Sequence, residues 1–576
     1  MSLDLRSLWD VILVLALALA IAPWFGSYLG RVYMNRPVFG DVLFTPIESA
    51  VYRLLGTSPR HSMKAREYML ALLLVNGGTL AFIFFWFYFQ AQTPLNPLGI
   101  QSMSWDLAFH SASSFTTNTN FTHFTNESQV SLGSLVVAWP LALFVSPATG
   151  LAVLAAMVRG FVRKDGTLGN FYVDMTRSIT RLLLPLAVLG ALVFVLLGVP
   201  ETFTAYVVAH PLTGNLAGFP NTQTIYLGPV ASFQSISLLG SNGGGFYSAN
   251  MASPIANPSA LSNLWGVGLM LIFPFSAPFA FAEIVRRKNE AWPYIGTILI
   301  ILGVALALFI AFQAATNPAL ATVGGLGVQT SGYPVGQETR FSLPESSAFQ
   351  VVSVFSNVGA NNLQIGSIAP VAQLVLLFGM FTQSTPGGVG TGFGMLLLFA
   401  ILGIFVAGLM VGRTPEYLGK KIGTSQVKWA AMALLIHPAT ILLPFVVAVA
   451  GNFVVVDGST IGATSHNFTS VLYEFTSESA NNGSALSTSQ FNDTTFFFNI
   501  TGALVMLVGR FVPIWAMLAV ADLFSRQEVL PAGVGTLRTA SGTFTIYLTL
   551  FLIITTALLF LPVIAMGPLA QIFGGM

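Results

Sequence analysis

Four widely spaced stretches of this chain share one layout. Taking Gly243 as an anchor, the same pattern recurs around Thr119, Gly359 and Gly483. Six residues before each anchor stands a serine (Ser113, Ser237, Ser353, Ser477), and ten before it an aromatic ring (Phe109, Phe233, Phe349, Tyr473). The residue just before the anchor is Asn118, Asn242, Val358 or Asn482, and the anchors lie 124, 116 and 124 residues apart. Such a period is a fourfold internal repeat, and it constrains the fold before any single element is assigned. The second copy runs into Gly243-Gly244-Gly245. Glycine there lets main-chain carbonyls and amides line a tight space with no side chain in the way.

Composition decides what solvent surrounds the repeat. Only 8% of the 576 residues are charged and 54% are apolar, which points to a membrane protein. A span needs about 20 residues. Ten apolar segments are long enough: 9–30, 69–89, 132–158, 182–199, 264–281, 294–312, 368–411, 429–450, 496–520 and 544–566. The first lacks a basic leader region and a small-residue cleavage site, so it reads as a retained span. The absence of cysteine excludes disulfides, thiolate metal sites and cysteine nucleophiles. A net charge of +2 gives no bulk attraction to nucleic acid.

Charge also sets the topology. The segment 368–411 is too long for one straight helix and is interrupted by Ser384-Thr385-Pro386-Gly387-Gly388-Val389-Gly390-Thr391-Gly392. Read as one broken helix, it leaves nearly all basic loop residues on one side, from Arg31 through Arg159, Arg286 and Lys420 to Arg538. Only Arg6 and Arg340 lie opposite. By the positive-inside rule the basic side is cytoplasmic and both termini are outside. Splitting the segment into two spans would break that bias. The anchors then fall on the outer side, each after a short stretch (105–116, 230–240, 347–355, 468–479) too short to span. A short helix dipping in, followed by an extended return, accounts for each. Elsewhere Thr45-Pro46-Ile47-Glu48 reads as a capping box opening a short amphipathic helix that Gly56 ends. The loop 316–341 reads as irregular surface.

The expected fold is therefore an all-α polytopic membrane protein. It has four channel-like helix–pore loop–helix repeats plus one extra helix at each end. The expected divisions are 1–66 for the extra N-terminal span and its loop, 67–164 for repeat 1 and 165–290 for repeat 2. Repeat 3, with its broken second helix, is 291–424; repeat 4 is 425–526; the extra C-terminal span is 527–576. Four equivalent loops around one axis suit a ring of carbonyl oxygens that replaces the water around a cation. Short helices aiming their negative C-terminal ends at the centre favour the same charge.

Longer motifs add a resemblance. Thr117-Asn118-Thr119-Asn120, Ser241-Asn242-Gly243-Gly244-Gly245-Phe246 and Asn481-Asn482-Gly483-Ser484-Ala485 are three of them. The most specific runs from Ala407 to Ile422 through Gly412-Arg413-Thr414-Pro415-Glu416-Tyr417. Over essentially its whole length the chain resembles the KdpA family, the potassium-translocating A subunits of Kdp transport ATPases, within the superfamily of potassium transporters. The resemblance implies a potassium filter at Asn118, Thr119, Asn242, Gly243, Val358, Gly359, Asn482 and Gly483. It implies uptake of potassium through a prokaryotic cell membrane and sideways passage to the catalytic B subunit, a P-type ATPase, with a C subunit and a small single-span F subunit alongside. The alternative is a stand-alone potassium or sodium transporter of the same superfamily. A polytopic membrane enzyme is disfavoured, because no acid–base or metal cluster stands out at membrane depth.

Several residues carry individual expectations. Arg510, inside an apolar span, matches by resemblance an arginine on the ion route below the filter; a cation at that depth is usually functional. Arg413 reads equally as an interface anchor or a coupling residue. Gln383, near the helix break, stands where relatives often carry an acid. Phe121-Thr122 replaces a common Trp-Gln, and Val358 a common cysteine. Glu474 and Glu478 are not part of the family pattern. His437, before Pro438, reads as a packing histidine. No Asp-Lys-Thr-Gly phosphorylation motif, P-loop or catalytic triad occurs. The expectation is a chain that binds no nucleotide and is no enzyme by itself, with potassium as the transported ion and lipid as its surroundings.

Overall fold

The computed structural model describes residues 5–210, 222–314, 336–412, 414–451, 453, 464–486, 496–529 and 537–572. Among them are ten helices long and apolar enough to cross a membrane. The first, α1 (Leu5–Tyr33), precedes a short amphipathic helix, α2 (Asp41–Leu54). Repeat 1 follows as α3 (Ala65–Tyr88), the short α4 (Trp105–Thr116) and α5 (Ser134–Val162). Repeat 2 is α6 (Phe171–Leu196), the short α7 (Val230–Leu239) and α8 (Ala260–Ile284). Repeat 3 is α9 (Ala291–Ala314), the short α10 (Leu343–Phe355), and two pieces, α11 (Pro370–Thr382) and α12 (Thr391–Val411). Repeat 4 is α13 (Thr424–Ala450), the short α14 (Ser465–Ala480) and α15 (Phe496–Ser525), and α16 (Gly542–Met566) closes the bundle.

Local chemistry starts the short helices. Ser104, Ser342 and Thr464 accept the amides of Leu107, Glu345 and Asn467 through their side chains. Glu345 returns to the Ser342 amide at 2.9 Å, completing a capping box. These caps start α10 and α14 three or four residues earlier than the sequence suggested.

Burial sorts the spans into two shells. In the apolar windows of α5 and α8, 89% and 83% of residues are buried, against 33% in α3 and α6. The second helix of each repeat therefore faces the axis and the first faces outward. The extra helix α1 docks on α8 through Gly26 and Gly30. A Cβ at Gly26 would lie 2.5 Å from the Ser276 carbonyl and one at Gly30 2.9 Å from the Glu283 Cβ. That is the small-xxx-small packing of helices in lipid. Arg36 then reaches Glu283 at 2.8 Å.

Helix α2 corrects one expectation. Thr45-Pro46-Ile47-Glu48 does not open it. The helix starts a turn earlier, at Asp41, whose carboxylate accepts the Val38 amide at 2.9 Å, and Pro46 lies inside it. Arg181 holds both Asp41 and Glu48 from α6, which fixes the earlier start. Gly56, with φ +62°, follows the helix end as expected.

The long segment of repeat 3 is broken as the charge pattern required. Gln383 ends α11 in the left-handed conformation, and Gly390 (φ +77°) precedes α12. At the opposite, basic end, β1 (Glu416–Tyr417) and β2 (Lys420–Lys421) pair as a small hairpin. Lys420 donates to the Arg163 and Phe524 carbonyls at 2.7 Å each and to the Gly160 carbonyl at 3.3 Å. One buried ammonium thus caps the C-terminal ends of α5 and α15. Arg413, and residues 316–335 of the glycine-rich loop, lie outside the described residues.

Candidate functional site

The main chain fixes how the four loops correspond. The carbonyls of Ser114, Ser237, Ser353 and Ser477 accept the amides five residues on, at Thr119, Asn242, Val358 and Asn482, over 2.8–2.9 Å. The residue in between is left-handed in every loop: Asn118, Ser241, Asn357 and Asn481, with φ +68°, +54°, +49° and +54°. The hydroxyls of Ser114, Ser237 and Ser353 donate to the carbonyls seven residues on, at Phe121, Gly244 and Ala360. In repeat 1 the register therefore moves by one residue from the sequence reading. Ser114 replaces Ser113, His110 replaces Phe109, and Asn120 rather than Thr119 stands with the three glycines. The Ser113-Ser114 doublet makes either register possible on paper, and the hydrogen bonds choose.

In this register the loops close a ring. A Cβ on Gly243 would meet the Val358 carbonyl oxygen at 2.3 Å, one on Gly359 the Asn482 oxygen at 2.0 Å, and one on Gly483 the Thr119 oxygen at 2.1 Å. Each glycine thus packs on the carbonyl just before the next anchor, which leaves no room for a side chain. Asn120 takes the fourth place with φ +54°, a conformation asparagine tolerates. Its amide oxygen and nitrogen are buried and find no protein partner. Side chains stitch the loops together. Asn118 donates to the Ser241 carbonyl at 2.6 Å, Asn481 to the Thr119 hydroxyl at 3.0 Å and Asn482 to the Val354 carbonyl at 2.9 Å. The eight residues expected to form the site are all buried in or beside this ring, except that Gly483 is only partly so.

Cavities lie on both sides of the ring. On the loop side one of about 710 Å³ is lined from all four repeats, among others by Asn120, Gly244, Asn361 and Gly483. Thr122 borders it too, as does His123. On the other side a space of about 30 Å³ is bounded by Asn118, Asn357, Asn481, Gln383, Thr391 and Arg510. That is room for about one or two waters.

Arg510 donates to the Thr391 hydroxyl at 3.0 Å and the Ser146 carbonyl at 3.2 Å, neither of them an acid. Among the described residues no acid is bonded to its guanidinium, which leaves a positive charge beneath the ring. Gln383 turns the other way: its amide donates to the Ser479 carbonyl at 3.1 Å and lies 2.8 Å from His437 Nδ1. His437 Nε2 lies 3.2 Å from the Met380 carbonyl, so the histidine packs with its ring satisfied. The break loop lies against the ring as well. The Gly387 amide donates to the Phe355 carbonyl at 2.8 Å, and the Val389 amide to the Ser241 hydroxyl at 3.3 Å.

A second cluster escaped the sequence reading. His123 Nε2 lies 2.7 Å from Glu474 Oε1, and His110 Nε2 lies 3.3 Å from Glu478 Oε1. The two imidazoles stack with centroids 3.8 Å apart and planes 15° apart. His123 Nδ1 meets the Asn499 side-chain oxygen Oδ1 at 2.6 Å, and the Asn499 side-chain nitrogen Nδ2 donates to Asp106 at 2.9 Å. The sequence signal was present: in the corrected register His110 and His123 occupy the places of Phe233 and Phe246, which pair edge to face. Ligating atoms of His110, His123 and Glu478 lie within 4.8 Å of one another. Stacked rings nevertheless do not suit one metal ion, which must lie near the plane of each ring it binds.

Three comparisons with known proteins bear on the site. Residues 12–573 match the family described as the potassium-transporting ATPase A subunit. A protein of Nostoc sp. named potassium-transporting ATPase potassium-binding subunit is 38% identical over 568 residues, covering 99% of each chain. One of the same name from Geobacillus kaustophilus is 37% identical, covering 97% of this chain and 98% of its own. Among solved structures, the potassium transporter TrkH from Vibrio parahaemolyticus superposes with a TM-score of 0.53 at 15% identity, over 90% of this chain and 98% of that one. That likeness is one of fold.

Proposed function

This chain belongs to the potassium-transporting ATPase A subunit family, and we propose that it is the potassium-binding and translocating subunit of an ATP-driven uptake complex. The observation that carries this reading is the ring in which Gly243, Gly359 and Gly483 pack on the Val358, Asn482 and Thr119 carbonyls of the neighbouring loops, with Asn120 in the fourth place. Such oxygens replace the hydration shell of a potassium ion. The C-terminal ends of α4, α7, α10 and α14 precede the ring, and their partial negative charges favour a cation there.

An ion that passes the ring enters a space held by Arg510 and floored by the break loop. A fixed positive charge there opposes straight passage. The ion route then bends sideways, toward a catalytic B subunit of the P-type ATPase class that supplies phosphoryl transfer, with the C and F subunits completing the complex. Arg510, Gln383 and, in the basic-end motif, Arg413 are the residues for ion passage and coupling. The basic end faces the cytoplasm of a prokaryotic cell and both termini lie outside. The divisions of the chain follow the repeats, at residues 66, 164, 290, 424 and 526.

Co-expression with a chain carrying Asp-Lys-Thr-Gly, followed by ATPase assay, tests this. Potassium stimulates hydrolysis in the purified complex if the reading holds. Potassium transport by this chain alone, with no associated ATPase, supports the stand-alone transporter instead.

A further inference from the structure

The cluster His110–His123–Glu474–Glu478 is buried and lies beside the ring. Its protons can be counted from its hydrogen bonds. Burial opposes ionisation of Asp106, yet hydrogen bonds from Asn499, Ser104 and the first amides of α4 hold its carboxyl below the usual carboxylate range. Ionised, it accepts from the Asn499 amide nitrogen, which turns the Asn499 oxygen toward His123. His123 Nδ1 must then carry a hydrogen. The contact between its Nε2 and Glu474 therefore shares one further proton, on the ring or on the carboxyl. The His110–Glu478 contact holds a second, either as a carboxyl against a ring with its hydrogen on Nδ1 or as an Nε2–H donating to a carboxylate, since His110 Nδ1 has no partner that sets the tautomer.

With two shared protons, and a hydrogen on Nδ1 of each ring, the four side chains are neutral together. A third would give the buried cluster a net positive charge, held on one of two rings whose centroids are 3.8 Å apart. From that neutral state the loss of one leaves a single negative charge in a buried site. Among the described residues no lysine or arginine is bonded to the cluster; helix α13 brings His437 to the Ser479 hydroxyl, one residue beyond Glu478, at 2.8 Å. Helix α15 faces the cluster with Asn499 and Gly502, neither of them titratable. Its Arg510 lies eight residues further, about 12 Å along the axis, and is engaged with Thr391 and Ser146. Helix α3 carries no Asp, Glu, Lys, Arg or His from Tyr68 to Tyr88. On α4 the facing charge is Asp106.

The cluster is tied to the ring on two sides. Glu478 follows Ser477, whose hydroxyl accepts the Gly483 amide at 3.0 Å. His123 lies three residues beyond Asn120 on the return strand and borders the loop-side cavity. Glu478 Oε2 is buried with no hydrogen-bond partner, and so is His110 Nδ1.

We propose that this cluster is a proton-binding site linked to the ring, so that binding of a potassium ion is accompanied by release of one shared proton to water in the loop-side cavity. A carboxylic acid or imidazolium becomes its conjugate base, the proton leaves and the potassium ion enters, so the net charge of ring and cluster is unchanged. The linkage is reciprocal: protons must weaken potassium binding as much as potassium weakens proton binding. The proposal rests on the ring being the potassium site.

The test uses the purified chain with the subunits that accompany it, in weakly buffered medium with a pH indicator. Adding potassium chloride releases up to about one proton per ion bound, and affinity rises by up to about tenfold per pH unit across the cluster's titration. Glu474→Gln with Glu478→Gln keeps hydrogen-bonding shape, removes the exchangeable protons and abolishes both effects. Potassium binding with no proton release and a flat affinity between about pH 5 and pH 9 overturns the proposal. Equal release from the double variant overturns it too. Should that variant not assemble, the potassium-induced infrared difference spectrum of the parent decides: loss of a protonated-carboxyl or an imidazolium band supports the site, and unchanged carboxyl and imidazole regions overturn it. A chain that binds no potassium at all defeats the filter reading first.

Discussion

Asn120 is where a single residue departs from the fourfold plan. Three anchors are glycine, and each would drive a Cβ into a carbonyl oxygen 2.0–2.3 Å away. Gly243→Ser therefore displaces the Val358 carbonyl. Rubidium and sodium discrimination should fall together with potassium affinity, by about tenfold or more, measured as ion-stimulated ATPase activity. At Asn120 the left-handed backbone sets the limit. Asn120→Gly should assemble and respond to potassium, whereas Asn120→Val should lose about 1–2 kcal/mol of stability, read as a lower Tm in detergent. Arg510→Gln removes the fixed charge below the ring. ATPase coupling or transport rate should change several-fold with selectivity kept; a variant that transports and hydrolyses like the parent counts against its role. The four loops were legible because their backbone pattern repeats. Their register in repeat 1 was not, because adjacent serines and adjacent aromatic-type residues, Phe109 and His110, satisfy the same spacing twice.

Helices were the most legible level, since apolar runs of span length have few other fates. Their ends were less so. The start of α2 is set by Arg181, which lies 140 residues from Asp41 and has no local signature. The motif from Gly412 to Ile422 was recognisable but mute, and the hairpin gives part of it a physical role. Burial, with a smaller push from Lys164, brings Lys420 down to about 8, so it is still largely an ammonium at neutral pH. Lys420→Met strands the carbonyls of Gly160, Arg163 and Phe524, at a cost on the order of 3 kcal/mol. Thermal unfolding of the detergent-purified protein measures it. The pH dependence has a definite sign. The folded value lies below that of free lysine, so the unfolded chain holds more protons from about pH 8 to pH 10. Stability contributed by Lys420 titration therefore rises with pH there, and the rise is absent in Lys420→Met.

The whole molecule is an inner shell of second helices around the ring and an outer shell of first helices, with α1 and α16 added at its edge. That plan followed from four matched loops and a one-sided distribution of arginine and lysine. The pairing of His110 with Glu478, 368 residues apart, did not, because nothing in the spacing of either reports the other. Orientation is open to a direct test, since the chain has no cysteine to remove. In intact cells an impermeant maleimide should label Thr204→Cys, exposed at the loop end, and spare Ser58→Cys, exposed at the basic end. Labelling of Ser58→Cys alone reverses the assigned orientation. The Lys420 contact also has a consequence in time. A ribosome delivers the chain from its N-terminus. When Lys420 emerges, the Gly160 and Arg163 carbonyls are some 260 residues ahead of it, while Phe524, 104 residues later, has yet to be made. Two acceptors of the ammonium are in place before the last repeat is made, and the third arrives only with that repeat. Closure of the bundle at its basic end is thus a late event of synthesis, scheduled by the order of the sequence.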